Sequence, residues 1–155
     1  MKQPSVFVMS ISRINPCGAI LANVINVSTI SIFVARLLGK AEIGHWIGII
    51  ILLSIIPLFY LLYSAKSLSR ATIYYIWVGL MILFIIVEFL VDWFPKIDFR
   101  NNLPIVIPYV MLFFGATGGM IGVASLAGRR WAIITITSFL IMAVLAFVQR
   151  QITGF

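Results

Sequence analysis

The sequence predicts an all-α membrane protein, a single polytopic transmembrane domain over residues 1–155. Its form is a bundle of five transmembrane helices, or four if the first segment lies at the interface. Three observations carry this. The chain is 63% hydrophobic and only 10% charged, whereas a soluble domain is roughly half apolar and about a quarter charged. Too few polar side chains exist to cover a compact particle in water, so the excess apolar surface is expected to face lipid. Crossing a hydrocarbon core takes about 20 mostly apolar residues in a helix, and such stretches run over 14–38, 43–63, 73–94, 103–127 and 131–148. The connections between them, 39–42, 64–72, 95–102 and 128–130, are short, which makes consecutive helices antiparallel neighbours.

The first segment is the most polar, with Asn23, Asn26, Ser28, Thr29 and Ser31. Asn15 is placed to cap free backbone N–H groups, and Pro16 suits a first turn that needs no donor. Asn23, Asn26 and Thr29 follow one another at three-residue spacing. In lipid such groups must find partners, so this stripe faces other helices by hydrogen bonding or lines a wet cavity. The competing reading is an amphipathic helix on the membrane surface. Before this segment, residues 1–12 hold Lys2 and a short apolar run without a small-residue cleavage site, so the N-terminus is expected to be retained.

Pro57 in the second segment removes one backbone donor and crowds the turn before it, which predicts a kink. The fourth segment carries two overlapping GxxxG patterns, Gly115 with Gly119 and Gly118 with Gly122. Glycines four apart strip side chains from one helical face and let another backbone approach, so this helix is expected to sit centrally and to pack within the chain rather than across a dimer.

The formal charge of +7 arises from Lys and Arg residues placed singly or in pairs between apolar runs. That is the pattern of membrane anchors, and no nucleic-acid partner is expected. With five spans, Lys2, Arg13, Lys66, Arg70, Arg129 and Arg130 share the N-terminal face; Arg36, Lys40, Lys96, Arg100 and Arg150 share the other. Six cations against five place the N-terminus in the cytoplasm of a cell membrane. Tyr60, Tyr63, Tyr74, Tyr75 and Trp131 fall near one interface, and Trp46, Trp93 and Tyr109 near the other, forming aromatic belts. Arg129 and Arg130 are too few for a lipid-recognition cluster and read as anchors. Cys17, the single cysteine, forms no internal disulfide and reads as a packing residue.

One polar cluster could carry chemistry. All four acidic residues, Glu42, Glu88, Asp92 and Asp98, fall on the face opposite the N-terminus. Glu88 and Asp92 are one helical turn apart and point the same way. Glu88 lies about 9 Å inside the end of its span at 1.5 Å per residue, so its carboxylate must be protonated, hydrated or paired. Arg36, at comparable depth and with a fork that holds a carboxylate by two hydrogen bonds, is the best partner. The cluster is therefore Arg36, His45, Glu88, Asp92 and Arg100.

Three functions fit it: an ion-pair network fixing helix ends, a proton or cation site, and an enzyme site on a lipid headgroup with a carboxylate as base. No nucleophile, metal-ligand spacing or phosphate-binding loop supports the third. The function expected is that of a non-enzymatic accessory or binding component without cofactor or metal. An oligomeric transporter of an ion or small solute using Glu88 and Asp92 is the alternative, and a headgroup-modifying enzyme comes third. The expected partners are membrane lipids, further copies of the chain or a larger membrane complex.

Overall fold

The structure, a computed structural model, describes residues 11–93 and 102–153. Among these every secondary-structure element is an α-helix: α1 (Ile11–Leu37), α2 (Ala41–Leu53), α3 (Ile55–Ser67), α4 (Thr72–Trp93), α5 (Leu103–Ser125) and α6 (Arg129–Thr153). α2 and α3 are two parts of one apolar run, Ala41–Ser67, which gives five helices long and apolar enough to cross a membrane.

The break between α2 and α3 falls at Ser54, three residues before Pro57. Pro57 has no N–H to offer the Leu53 carbonyl, and its ring collides with the turn that contains it. The Ser54 hydroxyl donates to the Ile50 carbonyl at 2.9 Å and holds the break. Other ends are set by local backbone chemistry. After α1, Gly39 takes φ +71, the Gly39 N–H donates to the Arg36 carbonyl at 3.1 Å and the Lys40 N–H to the Ala35 carbonyl at 2.8 Å. That pair of bonds closes a helix with a left-handed residue, for which glycine carries no Cβ penalty. The same two bonds follow α3, where Ser69 takes the left-handed position.

In the bundle α1 touches α2, α3, α5 and α6, while α4 touches α2, α3 and α5. α1, the α2–α3 run, α4 and α5 thus close a ring of four, and α6 packs outside it against α1 and α5. α1 is the most buried of the five apolar helices and α6 the least. This corrects two expectations. The helix at the centre is α1 rather than the glycine-rich α5. α1 also begins no later than Ile11, with Pro16 inside it, so Asn15 is not its cap. The Asn15 side chain instead ties α1 to two connections: its Nδ2 donates to the Leu126 carbonyl at 2.8 Å, and its Oδ1 accepts from the Arg70 guanidinium. Arg70 also lies over the Tyr74 ring, 5.3 Å from its centroid.

The stripe on α1 is spent largely on α6. Asn23 Nδ2 donates to Thr135 Oγ1 at 2.8 Å, and Asn26 Nδ2 donates to Ser138 Oγ at 2.9 Å. The Thr29 hydroxyl donates within its own helix, to the Ile25 carbonyl. Small residues Gly18, Ala19 and Ala22 lie buried on the same helix, and Gly18 faces Val123 of α5 so closely that a Cβ there would meet Cγ1 at 2.9 Å. Small side chains and internal polar partners let α1 accept four neighbours.

Candidate functional site

The four glycines of α5 divide into two pairs. Gly119 and Gly122 lie against Trp77 of α4: a Cβ at Gly119 would meet Trp77 Cδ1 at 3.0 Å and Cα at 3.3 Å, and one at Gly122 would meet the far edge of the indole at 2.5 Å. The absence of side chains makes room for the indole at Gly122 and for a close approach of the α4 backbone at Gly119. Gly115 and Gly118 have nothing within 4 Å of an added Cβ.

Below this contact, towards the C-terminal ends of α1, α4 and α6, the bundle forms a half-open cavity of about 240 Å³. α1 supplies Thr29, Ile32, Phe33 and Arg36, whose three- and four-residue spacing puts them on one face. α4 supplies Phe84 and Glu88, one turn apart; α5 supplies Leu103, Val106, Tyr109, Val110, Phe113 and Phe114. α6 closes the wall with Ala146, Phe147, Gln149 and Arg150, and α2 adds Ile51.

The lining is graded along the bundle. Arg36 and Arg150 stand in the last turns of α1 and α6, and Leu103 opens α5, so this is the mouth. Thr29 lies seven residues before Arg36, about 10 Å deeper at 1.5 Å per residue. At depth the wall is aromatic. Phe113 packs edge-on against Phe33, Phe84 and Phe114 at centroid distances of 6.2, 5.4 and 5.0 Å, the favoured geometry for rings whose faces are negative and edges positive. Between mouth and floor, the Tyr109 hydroxyl donates to Glu88 Oε2. Phe84 lies 6.1 Å from the Tyr109 ring and supports it.

The predicted polar cluster is therefore only partly brought together. Arg36 and Glu88 line one cavity. His45 is exposed near the start of α2 and does not line it. Asp92 belongs to the last turn of α4, its side chain lying outside the described residues, as does Arg100. Four polar lining residues were not in that cluster: Thr29, Tyr109, Gln149 and Arg150. Arg150 carried a signal, since the topology assigns it to the face of Arg36 and Glu88. Tyr109 carried one too, six residues after the start of its span, but it reads as an interfacial anchor.

Chemically the cavity offers two guanidiniums, one carboxylate bonded to a phenol, and an apolar interior. Among the described residues its lining includes no Ser, Cys or His, and the Thr29 hydroxyl is committed to Ile25. Among the described residues no three His, Cys, Asp or Glu side chains gather as a metal-ligand group. Asn23 and Asn26 are not part of the lining. Compared with family models, with curated proteins and with solved structures, the chain matches none.

Proposed function

We propose that the chain is an integral membrane protein of five transmembrane helices that acts as a non-enzymatic binding component, taking a small amphiphilic molecule into the cavity between α1, α4, α5 and α6. The observation that carries this is the gradient of the cavity, with charged side chains at a mouth near the helix ends and aromatic and aliphatic walls at depth. A pocket of that form matches a molecule lying across the membrane interface, tail inward and head at the level of lipid headgroups. The outward surface supports the membrane reading: Ile134, Leu140, Ile141 and Val144 of α6 are exposed, which water would penalise and lipid would not. Membrane lipids are the partners proposed. The six-to-five distribution of Lys and Arg is what supports a proposed orientation with the N-terminus on the cytoplasmic side of a cell membrane.

The test is native mass spectrometry of the protein released from a mild maltoside detergent after purification from membranes. One retained lipid or other amphiphile per chain is expected, and Val110→Trp, which fills the cavity, is expected to lose it. A protein that emerges bare from every gentle condition, or a Val110→Trp variant that keeps the adduct, contradicts the reading.

A second reading has its own observation. Glu88, a carboxylate inside a span with Tyr109 as donor, is a natural proton-binding group. If the cavity serves transport, proteoliposomes carry a pH-dependent flux that Glu88→Gln abolishes.

A further inference from the structure

We infer that the end of the bundle opposite the cavity binds the headgroup of an anionic phospholipid, its phosphate seated at Arg70 between the α3–α4 and α5–α6 connections. The inference rests on the membrane reading of the chain and is independent of the cavity.

The structure gathers five cations at this end. Arg13 precedes Asn15 by two residues on α1, Lys66 stands in the last turn of α3, Arg70 lies between α3 and α4, and Arg129 and Arg130 open α6. Asn15 ties these segments together, donating to the Leu126 carbonyl and accepting from Arg70. Arg129 follows Leu126 by three residues, at most about 11 Å of chain. A pair of arginines is an anchor, but cations drawn together from α1 and two connections reach the roughly four to eight of a lipid-recognition cluster. Arg13, Lys66, Arg129 and Arg130 are all exposed.

No carboxylate of this sequence can answer them. The acidic residues are Glu42, Glu88, Asp92 and Asp98. Glu42 stands in the first turn of α2, Asp92 in the last turn of α4 and Glu88 one turn before it, all towards the other end. Asp98 lies five residues past Trp93, a reach of at most about 18 Å, whereas α4 with its 22 residues is about 33 Å long. Residues 1–10 add one charged side chain, Lys2, and it too is a cation. The counter-charge must come from outside these residues.

Arg70 marks where the anion sits. It is half-buried, donates one N–H to Asn15 and lies over the Tyr74 ring, while its Nε is buried without a hydrogen-bond partner. A buried charged donor left unpaired is costly, and an anion relieves that cost. The guanidinium has more N–H donors than Asn15 takes up, and its planar fork matches the oxygens of a phosphate. The surroundings make that phosphate a lipid's. Ile11, Tyr63, Ile73 and Leu126 of the same segments are exposed, an apolar rim beside the cations that acyl chains would cover and water would penalise.

The experiment titrates the full chain in neutral maltoside micelles with phosphatidylglycerol or with phosphatidylcholine of the same acyl chains, and counts bound lipid by native mass spectrometry. Phosphatidylglycerol is expected to bind at least tenfold more tightly. Arg70→Gln should weaken its binding roughly tenfold, the size of a lost charge-assisted hydrogen bond. Arg129→Gln combined with Arg130→Gln, two exposed positions, should also weaken it and serves if Arg70→Gln does not fold. Lys40→Gln, at the other end of the bundle, should leave it unchanged.

Equal binding of the two lipids, or an unchanged preference in both arginine variants, overturns the inference. Inorganic phosphate displacing phosphatidylglycerol at equal concentration overturns the lipid in favour of a free anion, and an equal loss in Lys40→Gln overturns the placement at Arg70. The cavity fails separately, by the Val110→Trp adduct, and the membrane reading by the side from which cysteines at positions 40 and 66 are labelled.

Discussion

The Glu88 carboxylate gains from the Tyr109 hydroxyl part of what water would otherwise supply. The bond joins α4 to α5 within one wall of the cavity, and its energy depends on what remains when one partner is removed. Tyr109→Phe leaves a carboxylate short of a donor, whereas Glu88→Gln with Tyr109→Phe removes the charge as well. A double-mutant cycle read by thermal melting in detergent is therefore expected to show a coupling of about 1–2 kcal/mol, with Tyr109→Phe alone costing more than the double variant. The same cycle with Arg36→Gln is expected to couple too, through the charge of two groups on one cavity. Additive losses in both cycles would mean that Glu88 is neutral and solvated from the mouth. Depth within the span was enough to single out Glu88, because an apolar run makes any carboxylate inside it conspicuous. Its partner was not legible: a tyrosine near the end of a span is ordinarily an interfacial anchor, and only the rotation of α5 against α4 turns Tyr109 inward.

Helix packing shows the same division between pattern and partner. Spacing alone marks the small-residue faces of α5, but whether a face meets a neighbour is fixed by the placement of the other helices. Gly119 and Gly122 meet Trp77, while Gly115 and Gly118 meet open space. Gly122→Ala is expected to displace the indole and lower stability by about 1–3 kcal/mol. Gly118→Ala should stay within about 0.5 kcal/mol of the parent or gain slightly from helix propensity. Trp77→Leu combined with Gly122→Ala should recover most of the loss, and melting curves of the four variants check it. Equal tolerance at Gly118 and Gly122 would place Trp77 elsewhere. Pro57 likewise predicted a break without its position, because the clash reaches back to the preceding turn and the chain yields at Ser54. The first helix was the hardest to assign. Its asparagines look interfacial in isolation, and only α6, bringing Thr135 and Ser138 alongside, supplies the partners that let α1 lie at the centre.

At the scale of the molecule, five apolar helices joined by short connections account for the common placement of Arg36, Glu88 and Arg150. The antiparallel alternation of these helices puts the ends of α1, α4 and α6 on one side of the bundle, and the cavity opens there. Side was legible from counting; neighbourhood was not, since counting cannot tell which helices adjoin. The proposed binding function requires five crossings of a bilayer. They are tested most directly by cysteine accessibility in a Cys17→Ala background, with a membrane-impermeant thiol reagent applied to sealed, oriented vesicles. Lys66→Cys and Arg129→Cys are expected to label from one side, and Lys40→Cys and Arg150→Cys only from the other. Labelling of the Lys40 and Lys66 positions, or of the Arg129 and Arg150 positions, from the same side would contradict the five-span bundle and the cavity mouth placed on it.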